Sequence, residues 1–170
     1  FGRSLVVEPY LATVVLGGSA IKYASDEGQK GEFLPQIVDG SLKLGWAHGE
    51  QQARYDLTDV LTTATKDGSG WKLEGAKSLV FHGDCADTLI VSARTGGDRM
   101  DKAGLTLFLV PAATPGVARR GYAMRDGTRA AEISLSGVKL GPEAVLGKVG
   151  EAYGVIERVT QAGIAAFAAE

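Results

Sequence analysis

The chain has a single cysteine, only two histidines and no excess of either charge. Cys85 is the only cysteine among 170 residues, which excludes an intrachain disulfide and a thiolate metal cluster. His48 and His82 are the only imidazoles, and without a third ligand they do not predict a metal site. The formal net charge is −2 with 22% charged residues, so no basic stripe is available for a phosphate backbone and we expect no nucleic-acid partner.

Long hydrophobic runs are also missing. The longest apolar stretches, such as residues 11–16, are far shorter than the roughly 20 residues that span a bilayer, and no positively charged leader precedes one. We therefore expect a soluble, cytoplasmic protein with no membrane contact. Phe1 in place of Met, and a helical pattern that continues to Glu170 without an end signal, predict a fragment of a longer protein.

Helical patterns occupy both ends of the chain. Apolar residues recur at helical spacing between Pro9 and Ser25, although a Gly17-Gly18 pair weakens the middle of this helix. Asp26 is the predicted N-cap of a second helix that ends before Gly40. Its predicted buried face consists of Phe33, Leu34, Ile37 and Val38. A third helical pattern begins after Gly147.

The middle of the chain has the pattern of short strands separated by turns. Segments rich in Val, Thr, Leu and aromatic residues lie at residues 42–48, 57–65, 71–81, 88–93, 105–110, 117–122 and 131–135. This spacing predicts a compact antiparallel barrel or sandwich. The fold class is therefore α+β: helices at residues 1–41, a β-domain at 42–147 and the start of a further helical domain at 148–170.

Six short motifs follow one another along the chain, at residues 74–77, 86–87, 91–94, 107–110, 115–117 and 146–147. They read Glu-Gly-Ala-Lys, Ala-Asp, Val-Ser-Ala-Arg, Leu-Phe-Leu-Val, Pro-Gly-Val and Leu-Gly. In this order they resemble the acyl-CoA dehydrogenase family over essentially the whole chain: the end of its N-terminal helical domain, its middle β-domain and the start of its C-terminal helical domain. Residues 7–13 and 52–57 further resemble the small subunit of the pimeloyl-CoA dehydrogenase type.

The resemblance implies a cofactor, a reaction and partners. The cofactor would be FAD, and the reaction would convert a saturated acyl-CoA, of medium chain length or dicarboxylyl, to a trans-2-enoyl-CoA. The implied partners are the acyl-CoA substrate, a large acyl-CoA dehydrogenase subunit or further copies of the chain, and an electron-accepting flavoprotein.

Two segments correspond to the family's flavin-contacting positions. An ungapped count places Trp46, His48 and Gly49 on a loop that contacts the flavin, and Leu79, Val80 and Phe81 on a second segment that flanks the ring. The family usually has hydroxyl side chains in both segments, where this chain has Gly49 and Phe81. Because backbone N–H and C=O groups do not depend on the side chain, the resemblance implies weakened flavin binding or lost flavin binding, and both alternatives stay open.

The resemblance places Arg54 and Tyr55 near the acyl and CoA arm of the substrate. Arg54 stands where the family has Gly, and its guanidinium suits the free carboxylate of a dicarboxylyl-CoA. The alternatives are packing on Tyr55 and pairing with Asp56 or Asp59.

The remaining candidates concern proton transfer. His48 and His82 both lie beside the implied flavin, where a role in proton transfer or in polarising the flavin competes with an ordinary hydrogen-bonding role in a loop. In most members of the family the catalytic Glu lies far into the C-terminal helical domain, beyond the part that resembles residues 148–170. Glu157 is a weak match to a minority arrangement, because it lies too close to the start of its helix, and a solvated carboxylate is the favoured interpretation. We therefore predict no catalytic residue in this fragment, which should be inactive alone.

Three hypotheses follow. The first is an FAD-linked acyl-CoA dehydrogenase subunit, and the second is a non-catalytic subunit that keeps the fold to complete a heteromer. The third is a β-barrel binding module that shares only the strand pattern.

Overall fold

The fold is described by a computed structural model, which covers residues 7–169. Predictions that concern residues 1–6 and Glu170 lie outside the described residues. Helices pack at both ends of the chain around a central sheet. They are a π-helix (Leu11–Gly17) that continues into α1 (Gly18–Ala24), α2 (Glu27–Val38) and α3 (Tyr153–Ala169).

The first helical pattern is confirmed, with one difference: its first half winds as a π-helix. This segment docks closely on the sheet. The Leu44 N–H donates to Thr13 Oγ1 at 3.1 Å, and a Cβ at Gly17 would lie only 2.7 Å from Leu44 Cβ. Gly17, one of the two glycines that weaken the helical pattern, therefore lies at a close contact between the helix and the strand that contains Leu44.

Helix α2 begins as predicted. The Gln29 N–H donates to Asp26 Oδ1 at 2.8 Å, the N-cap bond that Asp favours, and Gly40 follows the helix with a φ of 78°. The prediction for Val38 is wrong, because its side chain is 87% exposed whereas Ile37 is buried. Consecutive residues point about 100° apart around a helix, and Val38 lies on the solvent side of Ile37 at the last turn of α2.

Eight strands form one sheet. They are β1 (Leu44–Ala47), β2 (Thr63–Asp67), β3 (Gly70–Phe81), β4 (Thr88–Arg94), β5 (Leu105–Pro111), β6 (Val117–Ala123), β7 (Arg129–Leu140) and β8 (Val145–Leu146). The order is β6-β7-β3-β2-β4-β5-β8, and β1 pairs with β4. The predicted α+β class is confirmed. The sheet is open, however, and does not close into a barrel.

Two details of the strand prediction are corrected. The sheet is not wholly antiparallel, because β1 runs parallel to β4. The predicted strand at 57–65 forms only from Thr63 onward. The backbone N–H groups of Leu61 and Thr62 donate to the Glu50 carboxylate, so a side chain takes the place of a neighbouring strand there.

Alternate residues of the central strands face two different cores. One core lies inside the curved sheet, where Trp71 of β3 contacts Phe108 of β5 edge to face at 5.5 Å between ring centroids. The other core lies between the sheet and the helices and includes Leu44, Ile90 and Ile156. In the first part of β1 and β4, the side that faces the helices is therefore apolar.

Candidate functional site

The helix-facing side of β1 and β4 becomes polar toward the ends of the two strands. Continuing the alternation from Ile90 brings Ser92 onto this side of β4, and continuing from Trp46 brings His48 onto the same side just past β1. Both side chains are buried. They meet directly, since His48 Nδ1 and Ser92 Oγ are 2.9 Å apart.

Lys77 of β3 joins this pair from the neighbouring part of the sheet. Lys77 is only 1% exposed, and its ammonium group has three hydrogen-bond acceptors. It donates to Glu50 Oε1 at 2.7 Å, to Ser92 Oγ at 3.1 Å and to the His48 carbonyl oxygen at 3.2 Å. All three ammonium protons are therefore used, which is the condition for keeping a buried lysine charged. We call Glu50, Lys77, Ser92 and His48 the buried network.

Glu50 is the anion of the buried network. Besides the Lys77 ammonium, its carboxylate accepts from the backbone N–H groups of Leu61 and Thr62 at 2.8 and 3.0 Å and from Gln52 Nε2 at 2.8 Å. The carboxylate therefore ties the loop after β1 to the segment before β2, with four donors on two oxygens.

The network shifts the pKa values of its titratable members. Burial alone would raise the pKa of Glu50, but the Lys77 charge and the hydrogen bonds to the carboxylate lower it to about 2. Burial lowers the pKa of Lys77 to about 8, against the opposing pull of Glu50. Burial, followed by the Lys77 charge, lowers the pKa of His48 to about 3. At neutral pH the network holds a charged pair and a neutral imidazole.

The two segments that were predicted to contact flavin lie side by side. The Ser78 N–H donates to the Gly49 carbonyl oxygen at 2.8 Å, and a Cβ at Gly49 would approach the Ser78 carbonyl oxygen to 3.3 Å. The structure thus brings together residues that are about thirty positions apart in the sequence.

A bulge in β3 shapes the second segment. The pairing with β7 shifts between Lys77 and Val80, and Leu79 takes a φ of 53°, which is strained for a branched side chain. Glu132 of β7 holds this bulge by accepting from Ser78 Oγ at 2.6 Å. As a result the Leu79 side chain points outward and is 51% exposed.

The predicted contact residues therefore divide into two groups. Trp46, Gly49, Leu79 and Phe81 have exposed or partly exposed atoms. Val80 is fully buried in the core inside the sheet, because its side chain points to the opposite face from the exposed residues, and so it offers only backbone groups. Phe81 contacts Phe167 of α3, at 5.9 Å between ring centroids.

Arg54 and Tyr55 lie on the loop after Glu50. Tyr55 is 98% exposed, and Arg54 is exposed with a φ of 52°. Neither proposed ion pair of Arg54 forms. Asp56 instead accepts from Thr58, and Asp59 pairs with Arg99 through two contacts of 2.6 Å.

The other candidates lie apart from the network. His82 has a φ of 51° and a pKa that burial lowers, and Glu157 is exposed on α3. A groove of about 1060 Å³ between α2 and residues 139–148 is lined by none of the predicted contact residues. In residues 7–169 no three His, Cys, Asp or Glu side chains cluster as metal ligands do. Within the same range, no helix combines the length and the hydropathy that crossing a bilayer requires.

None of Ser92, Glu50 and Lys77 was predicted from the sequence as a site residue. A signal for Ser92 was available, because it is a polar residue in the run Leu-Ile-Val-Ser-Ala and shares the face of Ile90. The sequence carries no comparable signal for the partnership of Glu50 and Lys77, since it depends on a contact between residues 27 positions apart.

Comparison with known proteins identifies the class. Residues 45–138 match the family model described as acyl-CoA dehydrogenase, middle domain. The long-chain specific mitochondrial acyl-CoA dehydrogenase of Sus scrofa is 33% identical over 155 residues, which are 89% of this chain and 34% of that protein. The chain therefore belongs to the acyl-CoA dehydrogenase family, whose members are oxidoreductases that carry FAD.

Solved structures agree with this assignment. Butyryl-CoA dehydrogenase from Megasphaera elsdenii has a TM-score of 0.84 at 27% identity, covering 90% of this chain and 41% of that one. The ChsE4-ChsE5 complex from Mycobacterium tuberculosis has a TM-score of 0.81 at 23% identity, covering 91% and 40%, and shows the likeness of fold alone. The chain spans between a third and a half of the length of these proteins.

The residues present fit one edge of a flavin ring. Trp46, Leu79 and Phe81 offer aromatic and apolar surface along two adjacent segments. The Gly49 N–H donates to no other described residue, so it is free for a ligand acceptor. Neither Gly49 nor Phe81 has the hydroxyl side chain that the family usually has at these positions.

Proposed function

We propose that this chain is part of an FAD-dependent acyl-CoA dehydrogenase subunit that converts a saturated acyl-CoA to a trans-2-enoyl-CoA. The observation that carries this proposal is the contact between the segments that contain Gly49 and Ser78, fixed from beneath by the buried network. Together with the family membership, this pairing supports a preformed edge for a flavin. Bound flavin would accept the hydride that leaves the substrate.

The chain's own residues would bind the flavin and orient its ring. Trp46 and Leu79 would cover the ring, and the Gly49 N–H would donate to one of its acceptors. The ion pair of Glu50 and Lys77 would keep the two segments at a fixed separation. Glu157, the one candidate for the base that the sequence offered, is exposed on α3, and we propose that the base comes from outside residues 1–170.

We propose that the domain arrangement is that of the family: the end of a helical domain at 1–41, the middle β-domain at 42–147 and the start of a second helical domain at 148–170. The partners would be a large subunit of the pimeloyl-CoA dehydrogenase type or further copies of the chain, and an electron-accepting flavoprotein. The ChsE4-ChsE5 complex shows that this fold occurs in a complex of two different proteins. We propose a cytoplasmic location for the assembly.

We further propose a dicarboxylyl substrate whose free carboxylate pairs with Arg54. The exposed guanidinium has no ion pair with any described residue, because the neighbouring Asp56 and Asp59 are engaged by Thr58 and Arg99. Tyr55 beside it is almost fully exposed. A cation and an aromatic ring without partners, at a left-handed backbone position, suit a ligand that arrives from solution.

Substitution of Arg54 by Met tests this substrate class. In the assembled enzyme, R54M should raise the KM for dicarboxylyl-CoA about tenfold and leave the KM for monocarboxylyl-CoA unchanged, because one charge-assisted contact is lost. Arg125 is exposed on another part of the surface, so R125M is the matched control. Equal loss on both substrates would refute the assignment of Arg54.

The missing hydroxyls favour a second candidate, a non-catalytic subunit that completes a heteromer. Purification of the protein at its natural full length, alone and with its large subunit, separates the two functions. A yellow protein that reduces an electron acceptor when given acyl-CoA without its partner supports the catalytic subunit. A colourless protein that only raises the activity of the large subunit refutes it and supports the second candidate.

A further inference from the structure

Within the buried network, only one of the two ring nitrogens of His48 makes a hydrogen bond. Its ring is buried, and Nδ1 contacts Ser92 Oγ at 2.9 Å. Nε2 has no hydrogen bond to any described residue. Yet among the described residues the one buried side-chain nitrogen or oxygen without a partner is Asp84 Oδ1. Nε2 therefore keeps some solvent-accessible surface, although the residue as a whole is only 7% exposed.

The hydrogen-bond chain fixes which ring nitrogen carries the proton. Lys77, as an ammonium, can only donate, and it donates to Ser92 Oγ at 3.1 Å. The Ser92 hydroxyl proton then needs an acceptor, and among residues 7–169 the structure offers it only His48 Nδ1. Nδ1 is therefore unprotonated, and the single proton of a neutral imidazole lies on Nε2.

The Nε2–H of His48 lies close to residues of the proposed flavin edge. The His48 ring centroid is 6.0 Å from that of Trp46, and His48 directly precedes Gly49, one of the two positions where the chain lacks a hydroxyl donor. An N–H on a buried ring that Ser92 holds supplies a donor without the cost of ordering a flexible side chain.

We propose that Lys77 and Ser92 lock His48 in its neutral Nε2–H tautomer, so that it serves as a permanent hydrogen-bond donor to the flavin ring in place of the missing hydroxyl. This inference rests on the proposed function for its ligand, whereas the tautomer rests on the protein alone. It also assigns His48 a binding role instead of proton transfer, because an imidazole that cannot readily gain a second proton makes a poor acid or base at neutral pH.

The first test needs no flavin. In full-length protein labelled with ¹⁵N-histidine, long-range ¹H–¹⁵N spectra at pH 7 distinguish the two tautomers and the imidazolium. H48Q identifies the His48 signals among those of the other histidines. We expect a protonated Nε2 and a bare Nδ1 in the wild type, and a mixture of tautomers in S92A, where Nδ1 loses its donor. A protonated Nδ1 in the wild type would overturn the proposal.

The second test measures FAD affinity by calorimetry with a matched pair of variants. The amide of Gln can place its N–H near the position of Nε2, whereas Asn can only replace the acceptor at Nδ1. H48Q should bind FAD within about twofold of the wild type and H48N about five- to tenfold more weakly, the effect of one hydrogen bond. Wild-type affinity in H48N would overturn the donor role.

The two tests separate the inference from the proposed function. Failure of the wild type to bind FAD, even with its partner subunit, would refute the proposed function and the donor role together, while the spectra would still decide the tautomer. Binding of FAD by the wild type with no difference between H48Q and H48N would refute the inference alone.

Discussion

Glu50 of the buried network and the exposed loop that follows Glu50 are adjacent in sequence but differ in the burial and the pairing of their charges. Glu50 accepts four hydrogen bonds and pairs with a buried lysine, whereas Arg54, four residues later, is exposed and has no ion pair with any described residue. Both carry charge. The buried charges hold the site in shape, whereas the exposed charge of Arg54 is the one that we propose pairs with a ligand.

Backbone strain is also held differently in the two regions. Leu79 has a left-handed backbone, and the bulge around it is held by Glu132 bonding to Ser78. Arg54 is also left-handed, but no side chain of comparable burial restrains it. Strain near the network therefore persists because its surroundings enforce it, whereas strain in the exposed loop is open to relief by substitution.

The largest expected effect comes from breaking the buried ion pair. Lys77→Met leaves the Glu50 carboxylate buried without its cation, which should lower the free energy of unfolding by about 3–5 kcal/mol. Urea unfolding of the purified protein measures it. Lys72 lies on the same strand, half-exposed and paired with Glu74, so K72M is the matched control and should change the free energy by less than about 0.5 kcal/mol.

The double variant K77M/E50Q sharpens this prediction. Because it removes both charges, it should recover a substantial part of the stability that K77M loses. If K77M is no less stable than K72M, the buried pair does not hold the site, and the contrast with the exposed loop fails.

Acid should destabilise the network through His48. The pKa of His48 is about 3 in the fold, against an ordinary value of 6.5, so between these values the unfolded chain binds a proton that the folded protein does not. Stability is therefore complete above pH 6.5 and falls as the pH drops through this window. Between pH 7 and pH 4.5 the loss from this group should be about 2–3 kcal/mol.

The His48→Gln variant isolates this contribution. In H48Q the stability should change little between pH 7 and pH 5, and the decline should begin only below about pH 4.5, where Glu50, with a pKa of about 2, gives the same sign. H82Q is the comparison variant, because burial also lowers the pKa of His82 and the variant reports how much of the acid profile belongs to the second imidazole. An unchanged acid profile in H48Q would show that the imidazole is not held neutral.

Much of the fold was predictable because it depends on local signals. The N-cap at Asp26 and the apolar strand around Ile90 are determined by neighbouring residues, and the family motifs indicated the order of the elements. The parallel pairing of β1 with β4 was not predictable, since nothing in either strand specifies direction. Arg54 and Tyr55 were proposed from their position alone. Ser92 had a signal in its own strand, whereas the ion pair of Glu50 and Lys77 required knowledge of which segments meet.

The smallest expected effect concerns the backbone at Arg54. With a φ of 52°, this position suits glycine, so Arg54→Gly should relieve strain and change stability by no more than about 1 kcal/mol, with the gain partly offset by the greater freedom of the unfolded chain. Urea midpoints compare R54G with R54M, which keeps a side chain and hence the strain. If both variants are destabilised by several kcal/mol, Arg54 has a structural role, and its charge is not free for a substrate.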